Sequence, residues 1–144
     1  MSFSPAWQAG PGETPQQLGV VAVVGSLIGL GGGIFVVPLD PNDLTRFAGP
    51  VKQLFAFNKD HVWERYGEMN EYTGIAWIEG PWMLKRKGTY YLQYSASGTQ
   101  WLTYATGMYT GKSPTGPFSY AAVNPVLRKT TGVVTGVRYN DGFF

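Results

Sequence analysis

A chain of 144 residues has room for one domain with a sizeable core, and with 15% aromatic and 14% charged residues it is rich in rings and poor in charge. A net charge of +2, with no Lys/Arg block beyond Lys85-Arg86-Lys87, gives no nucleic-acid footprint. The absence of cysteine removes disulfides, thiol nucleophiles and Cys-based zinc sites, and one histidine, His61, cannot build a His-rich metal centre, so no cofactor is expected.

In chain order, Met1–Gln17 carries no basic n-region and does not read as a secretory signal, which leaves the compartment open. Leu18–Leu39 is an uncharged run long enough to span a bilayer. Its many glycines, its Pro38 and the lack of close basic flanks favour two buried strands around a glycine turn, with a membrane span as the alternative. Gly33–Leu39 is apolar and β-branched, Asp40-Pro41-Asn42-Asp43 is a turn cluster, and Gly49-Pro50 leads into the strand pattern Val51–Phe57. Lys59–Thr73 holds most of the charge and is expected to be a long connection; the helical spacing of Glu64, Glu68 and Glu71 leaves one amphipathic turn open. Four strand candidates follow. Gly80–Lys87 meets Thr89–Ser95 through a tight turn at Gly88, Leu102–Tyr109 follows Ser97-Gly98-Thr99, and Phe118–Arg128 follows Ser113-Pro114-Thr115-Gly116-Pro117.

Four consecutive antiparallel strands on short turns are what one blade of a β-propeller requires. A faint echo supports a second blade. Gly33-Ile34-Phe35-Val36-Val37, a polar turn, Gly49-Pro50 and Leu54-Phe55 return as Gly107-Met108-Tyr109, a turn, Gly116-Pro117 and Val126-Leu127. The expected fold is all-β, a partial β-propeller of about two four-stranded antiparallel blades. Residues 1–32 form an apolar Gly-rich segment, 33–136 the blade region, and 137–144 a divergent tail.

Ile78-Glu79-Gly80-Pro81, the strand with Tyr90, Tyr91 and Tyr94, and Ser113-Pro114-Thr115-Gly116-Pro117-Phe118 occur in that order. Together they resemble glycoside hydrolase family 43, the arabinofuranosidase and xylosidase group of five-bladed propellers, over about residues 33–135. The short glycine run Gly25–Gly33 separately resembles the membrane motif of sulfite-exporter-like permeases. The first resemblance implies that Glu79 is the general acid and that its motif opens a blade's innermost strand. Trp77, Ile78, Pro81 and Trp82 surround Glu79 in sequence, and a carboxyl held among such groups loses hydration, which keeps its proton on at neutral pH. The bland alternative is a solvated glutamate between strands.

Glycoside inversion needs a second carboxylate, roughly 6.5–9.5 Å from the acid, to activate water. The resemblance implies a base from the first blade and a further aspartate, tuning the acid, from an earlier blade, and no residue here matches either: Asp40 and Asp43 fall in a turn, and no motif supports Asp60, Glu64, Glu68 or Glu71. The family's usual Gly-His element after Thr131–Gly136 is replaced by Val137-Arg138-Tyr139-Asn140. Trp77, Trp82 and Trp63 are the candidate sugar-stacking residues, Tyr91 and Tyr104 are expected in the core, and His61 is expected at a surface hydrogen bond. The expected partners are an arabinose- or xylose-containing carbohydrate and further copies of this chain, because two blades leave unpaired sheet edges. A non-catalytic carbohydrate-binding or oligomerising propeller fragment is the alternative.

Overall fold

The structure, a computed structural model, describes residues 21–25, 32–74 and 76–128. The first sheet contains β1 (Val21–Gly25), β2 (Gly33–Asp40), β3 (Asp43–Phe47) and β4 (Lys52–Ala56). Strand β2 is its spine. Val23 of β1 faces Val36 on one side, Ile34 faces Phe55 of β4 on the other, and the end of β2 turns back as a hairpin with β3. Within the uncharged run β1 and β2 therefore pair as strands, the glycine turn expected between them lies outside the described residues, and among the described residues no helix is long and apolar enough to cross a membrane. Strand β3, absent from the sequence reading, is exposed at every position. Its hairpin is held by Asp40 Oδ1, which accepts from the Asn42 amide at 2.8 Å, and by Asp43 Oδ1, which accepts from the Thr45 hydroxyl at 2.6 Å. The Thr45 hydroxyl and amide hold the Asp43 carboxyl below its usual range.

The second sheet contains β5 (Trp77–Arg86), β6 (Thr89–Ser97), β7 (Ala105–Gly111), β8 (Phe118–Tyr120) and β9 (Leu127–Arg128). Lys87 (φ 49°) and Gly88 (φ 72°) make the two-residue turn between β5 and β6, a conformation in which both central residues are left-handed and which matches the twist of a hairpin. The strand expected over Phe118–Arg128 is divided. Strand β8 pairs with the end of β7 and β9 with its start, and between them the Asn124 side chain takes the ladder's place. Its Oδ1 accepts from the Met108 amide at 2.7 Å and its Nδ2 donates to the Met108 carbonyl at 2.8 Å. Pro125, which has no amide hydrogen, follows at the point where a continuous strand would need a donor.

Strict alternation along β6 sends Tyr90, Leu92, Tyr94 and Ala96 to one face, where all four are buried. They join Ile78, Met83 and Tyr109 and meet Ile34 and Val36 of the first sheet, so the core lies between the two sheets. Phe55 of β4 stacks on Tyr109 of β7 with ring centroids 3.9 Å apart. Fully burying a residue such as Leu92 contributes about 1.5–3 kcal/mol.

A bulge interrupts β5. Glu79 faces Ser95 and Trp82 faces Gln93, so three steps on β5 match two on β6, and Gly80 and Pro81 share a single opposite residue. Gly80 has φ 55°, a left-handed conformation that favours glycine. The slip lets Ile78 and Met83, five positions apart, both point into the core while Glu79 and Trp82 share the other face.

The two copies of the sequence echo are built differently: β3 separates β2 from β4 in the first, while β8 follows β7 directly in the second and Val126-Leu127 falls beyond β8. Gly33 opens β2 and Gly49-Pro50 precedes β4, while Gly107 lies in β7 and Gly116-Pro117 precedes β8. The charged connection is ordered without becoming a helix. It holds one 3-10 turn at Val62–Glu64 and a bridge between Tyr66 and Tyr72.

Candidate functional site

Glu79 is the third residue of β5, on the face opposite the core-facing Ile78, and it is half-buried. Its neighbours across the sheet are small and polar: Ser95 on β6 and Thr106 on β7 lie in register with it, and both are buried. Tyr104, from the turn before β7, donates its hydroxyl to Glu79 Oε1 at 3.1 Å. Oε2 has no hydrogen-bond partner among the described residues. The carboxyl thus has one oxygen oriented by the protein and one left for a ligand.

Trp77, two residues earlier on the same face, is 54% exposed beside the carboxyl. Trp82 is half-buried on that face, opposite Gln93, whose buried Oε1 has no partner. Trp63 is elsewhere. Its indole N–H donates to the Tyr120 hydroxyl at 2.7 Å, its ring tilts against Tyr94 at 5.4 Å, and it covers Gly107 so closely that a Cβ there would sit 2.5 Å from the ring. That is a packing position on the core side of the sheet, away from the face carrying Glu79. Tyr104 is buried as expected for a core residue, yet its hydroxyl reaches the candidate acid.

Sequence reasoning passed over a second carboxylate. Glu64, at the end of the 3-10 turn, is 1% exposed. Its Oε1 accepts from the Tyr94 hydroxyl at 2.6 Å and lies 2.7 Å from His61 Nδ1, and its Oε2 accepts from the Asn58 amide at 3.1 Å. His61 stacks on Tyr120 with centroids 3.8 Å apart, so it serves as a hydrogen-bonding residue. Burial first, then the charge and hydrogen bond of Glu64, push the Tyr94 phenol well above the ordinary tyrosine range. Burial and the same carboxylate raise Tyr109 as well. The local signal for this cluster was the His61/Glu64 spacing; its decisive partner, Tyr94, is thirty residues away.

Glu64 and Glu79 lie on opposite sides of the second sheet, since Tyr94 faces the core and Glu79 faces away from it. Asp40 and Asp43 are engaged in their hairpin, and Glu68 and Glu71 are exposed in the connection. Among the described residues no group of three His, Cys, Asp or Glu side chains converges as a metal site. Residues 129–144, including the Val137-Arg138-Tyr139-Asn140 segment, lie outside the described residues.

Residues 31–140 match the family model described as Glycosyl hydrolases family 43. The chain is 39% identical over 77 residues to a beta-D-galactofuranosidase of Aspergillus niger, covering 54% of this chain and 22% of that protein. It is 45% identical over 56 residues to a xylosidase/arabinosidase of Bacteroides ovatus, covering 38% of this chain and 16% of that one. Among solved structures, a thermostable family-43 glycoside hydrolase superposes with a TM-score of 0.60 and 26% identity, over 76% of this chain and 34% of that one. An endo-1,4-beta-xylanase of Bacteroides thetaiotaomicron superposes with a TM-score of 0.58 and 26% identity, over 79% and 36%. The chain thus spans about a fifth of the length of the curated relatives. Its two sheets are part of a β-propeller.

Proposed function

The chain belongs to glycosyl hydrolase family 43, and on that premise we propose that it is part of an inverting hydrolase of arabinofuranosyl or xylosyl linkages, with Glu79 as general acid. The observation that carries this reading is the half-satisfied carboxyl. Alternation with the core-facing Ile78 turns Glu79 away from the core, Tyr104 holds one oxygen, and the other is open beside an exposed tryptophan. A proton on the open oxygen is placed for transfer to a departing glycosidic oxygen. Trp77 offers the adjacent sugar a ring face, and Trp82 extends that face along the strand.

The water-activating carboxylate is not Glu64, which is sealed from solvent on the other side of the sheet. The base comes from a blade beyond the described residues. Further copies of this chain are one source, because among the described residues the outer strands of both sheets pair on one side only. A stable monomer in sedimentation at micromolar concentration removes that source. The relatives' names, beta-D-galactofuranosidase and xylosidase/arabinosidase, support a substrate of furanose or pentose rings.

The test is hydrolysis of aryl arabinofuranosides and xylosides by the wild type and by Glu79→Gln. Loss of about 10²–10⁴-fold is expected for the variant, and equal rates remove Glu79 from the mechanism. The second reading, a carbohydrate-binding module without turnover, is favoured by Glu64 lying sealed on the far side of the sheet from Glu79. It is selected if oligosaccharides change the tryptophan fluorescence of the wild type and no product forms.

A further inference from the structure

The connection from β6 to β7 leaves the sheet at the end where β5 enters, because Trp77 pairs with Ser97. There it meets the charged connection, and the two are cross-braced. The Thr103 hydroxyl donates to the Gly67 carbonyl at 2.8 Å and accompanies Ser97 Oγ at 3.1 Å, and the Gln100 side-chain amide donates to the Tyr66 hydroxyl. Tyr66 and Tyr72 form a backbone bridge with rings 6.3 Å apart, and Trp101 meets Tyr66 edge-on at 5.7 Å. Three rings are therefore fixed relative to one another. Tyr72 is 54% exposed, and the neighbouring Leu102 is exposed to a similar degree.

We propose that Tyr66, Tyr72 and Trp101 form a stacking shelf for the sugar chain on the leaving-group side of the bond cleaved, an inference that rests on the glycosidase reading of Glu79. Three observations point to a carbohydrate. The shelf adjoins the candidate acid through one short turn: the Tyr104 amide donates to the Trp101 carbonyl at 3.3 Å while the Tyr104 hydroxyl holds Glu79. Its rings are interleaved with hydroxyl and amide groups, the mixture a polyhydroxylated ring needs on its face and its edge. Among the described residues the buried Trp101 indole N–H has no partner, and a small rotation of the ring toward the ligand gives it a sugar hydroxyl as acceptor. A chain of several residues leaving Glu79 over this end of the sheet crosses the shelf, whereas a monosaccharide at Glu79 does not reach it.

Isothermal titration calorimetry of the full chain with xylohexaose, α-1,5-arabinohexaose and xylose tests the assignment. Hexasaccharide affinity is expected to exceed that of xylose, and Tyr72→Ala to weaken it about three- to tenfold. Val123→Ala, at a still more exposed position between β8 and β9, is expected to leave it within about twofold. Trp101→Ala is read only where its circular dichroism matches the wild type; Tyr72→Ala, at a more exposed position, carries the test without it. Wild-type binding that neither Tyr72→Ala nor Val123→Ala changes overturns the shelf and leaves the carbohydrate reading standing. No hexasaccharide binding at millimolar concentration overturns both. A Tyr72→Ala effect on sedimentation of the free protein, with affinity unchanged, gives the patch to a second copy and overturns the shelf.

Discussion

Two glutamates in this molecule each take a hydrogen bond from a tyrosine, and the resemblance ends there. In the connection, Glu64 is sealed and meets Tyr94, His61 and the Asn58 amide. At the mouth of the second sheet, Glu79 is half-buried and among the described residues accepts a hydrogen bond from Tyr104 alone. A fully satisfied buried carboxylate anchors structure, because every acceptor site it gives up to the protein is lost to a ligand. A carboxylate with one oxygen free is poised for chemistry and adds little to stability. Burial alone would have pointed to Glu64, whose two oxygens are already engaged by the protein.

The sharpest way to break this contrast is Glu64→Ala. It strands the Tyr94 hydroxyl, the Asn58 amide and His61 together, and is expected to cost about 3–4 kcal/mol in urea denaturation. A loss under about 1 kcal/mol would place Glu64 outside the folded network. Tyr94→Phe removes only the 2.6 Å bond and is expected to cost about 1.5–2 kcal/mol.

The same pair has a signature in base. The fold keeps the Tyr94 and Tyr109 phenols protonated above the ordinary tyrosine value of 10.0, so their stabilisation is complete below about pH 10 and drains away as pH rises above it. Melting temperature against pH is expected to fall more steeply above pH 10 in the wild type than in Tyr94→Phe. Parallel curves would show that this phenol is not shielded. Tyr104→Phe, which loses the longer bond to a half-exposed acceptor, is expected to cost about 0.5–1 kcal/mol. Smallest of all, Glu79→Gln is expected to change stability by about 0.5 kcal/mol or less while carrying the largest loss of activity. A Glu79→Gln protein that melts far below the wild type would erase the distinction between the two sites.

What the sequence disclosed follows the range of the forces involved. The Lys87-Gly88 hairpin, the paired strands within the uncharged run and the Glu79-Gly80-Pro81 motif are local, set by neighbours in the chain. Strand β3 was invisible because Asp43–Phe47 packs nothing and so shows no buried period. The division of β8 from β9 depends on the Asn124 side chain imitating a backbone partner for Met108, sixteen residues away. Glu64 looked like one acid among several in a charged stretch, and only the fold brings Tyr94 to it. Trp63 was legible as an aromatic in a polar run, but its ring closes over Gly107, a glycine whose missing side chain makes the room.

The bulge in β5 keeps the phase of everything after it. Because Gly80 and Pro81 together face one residue of β6, a strand of this length paired residue for residue would exchange inside for outside along its second half. With Glu79 kept in place, Met83 would be driven into water and Trp82 into the space between the sheets. The bulge therefore absorbs one residue without changing the phase of the strand, and removing Gly80 or Pro81 would leave Met83 in the core and Trp82 on the face of Glu79.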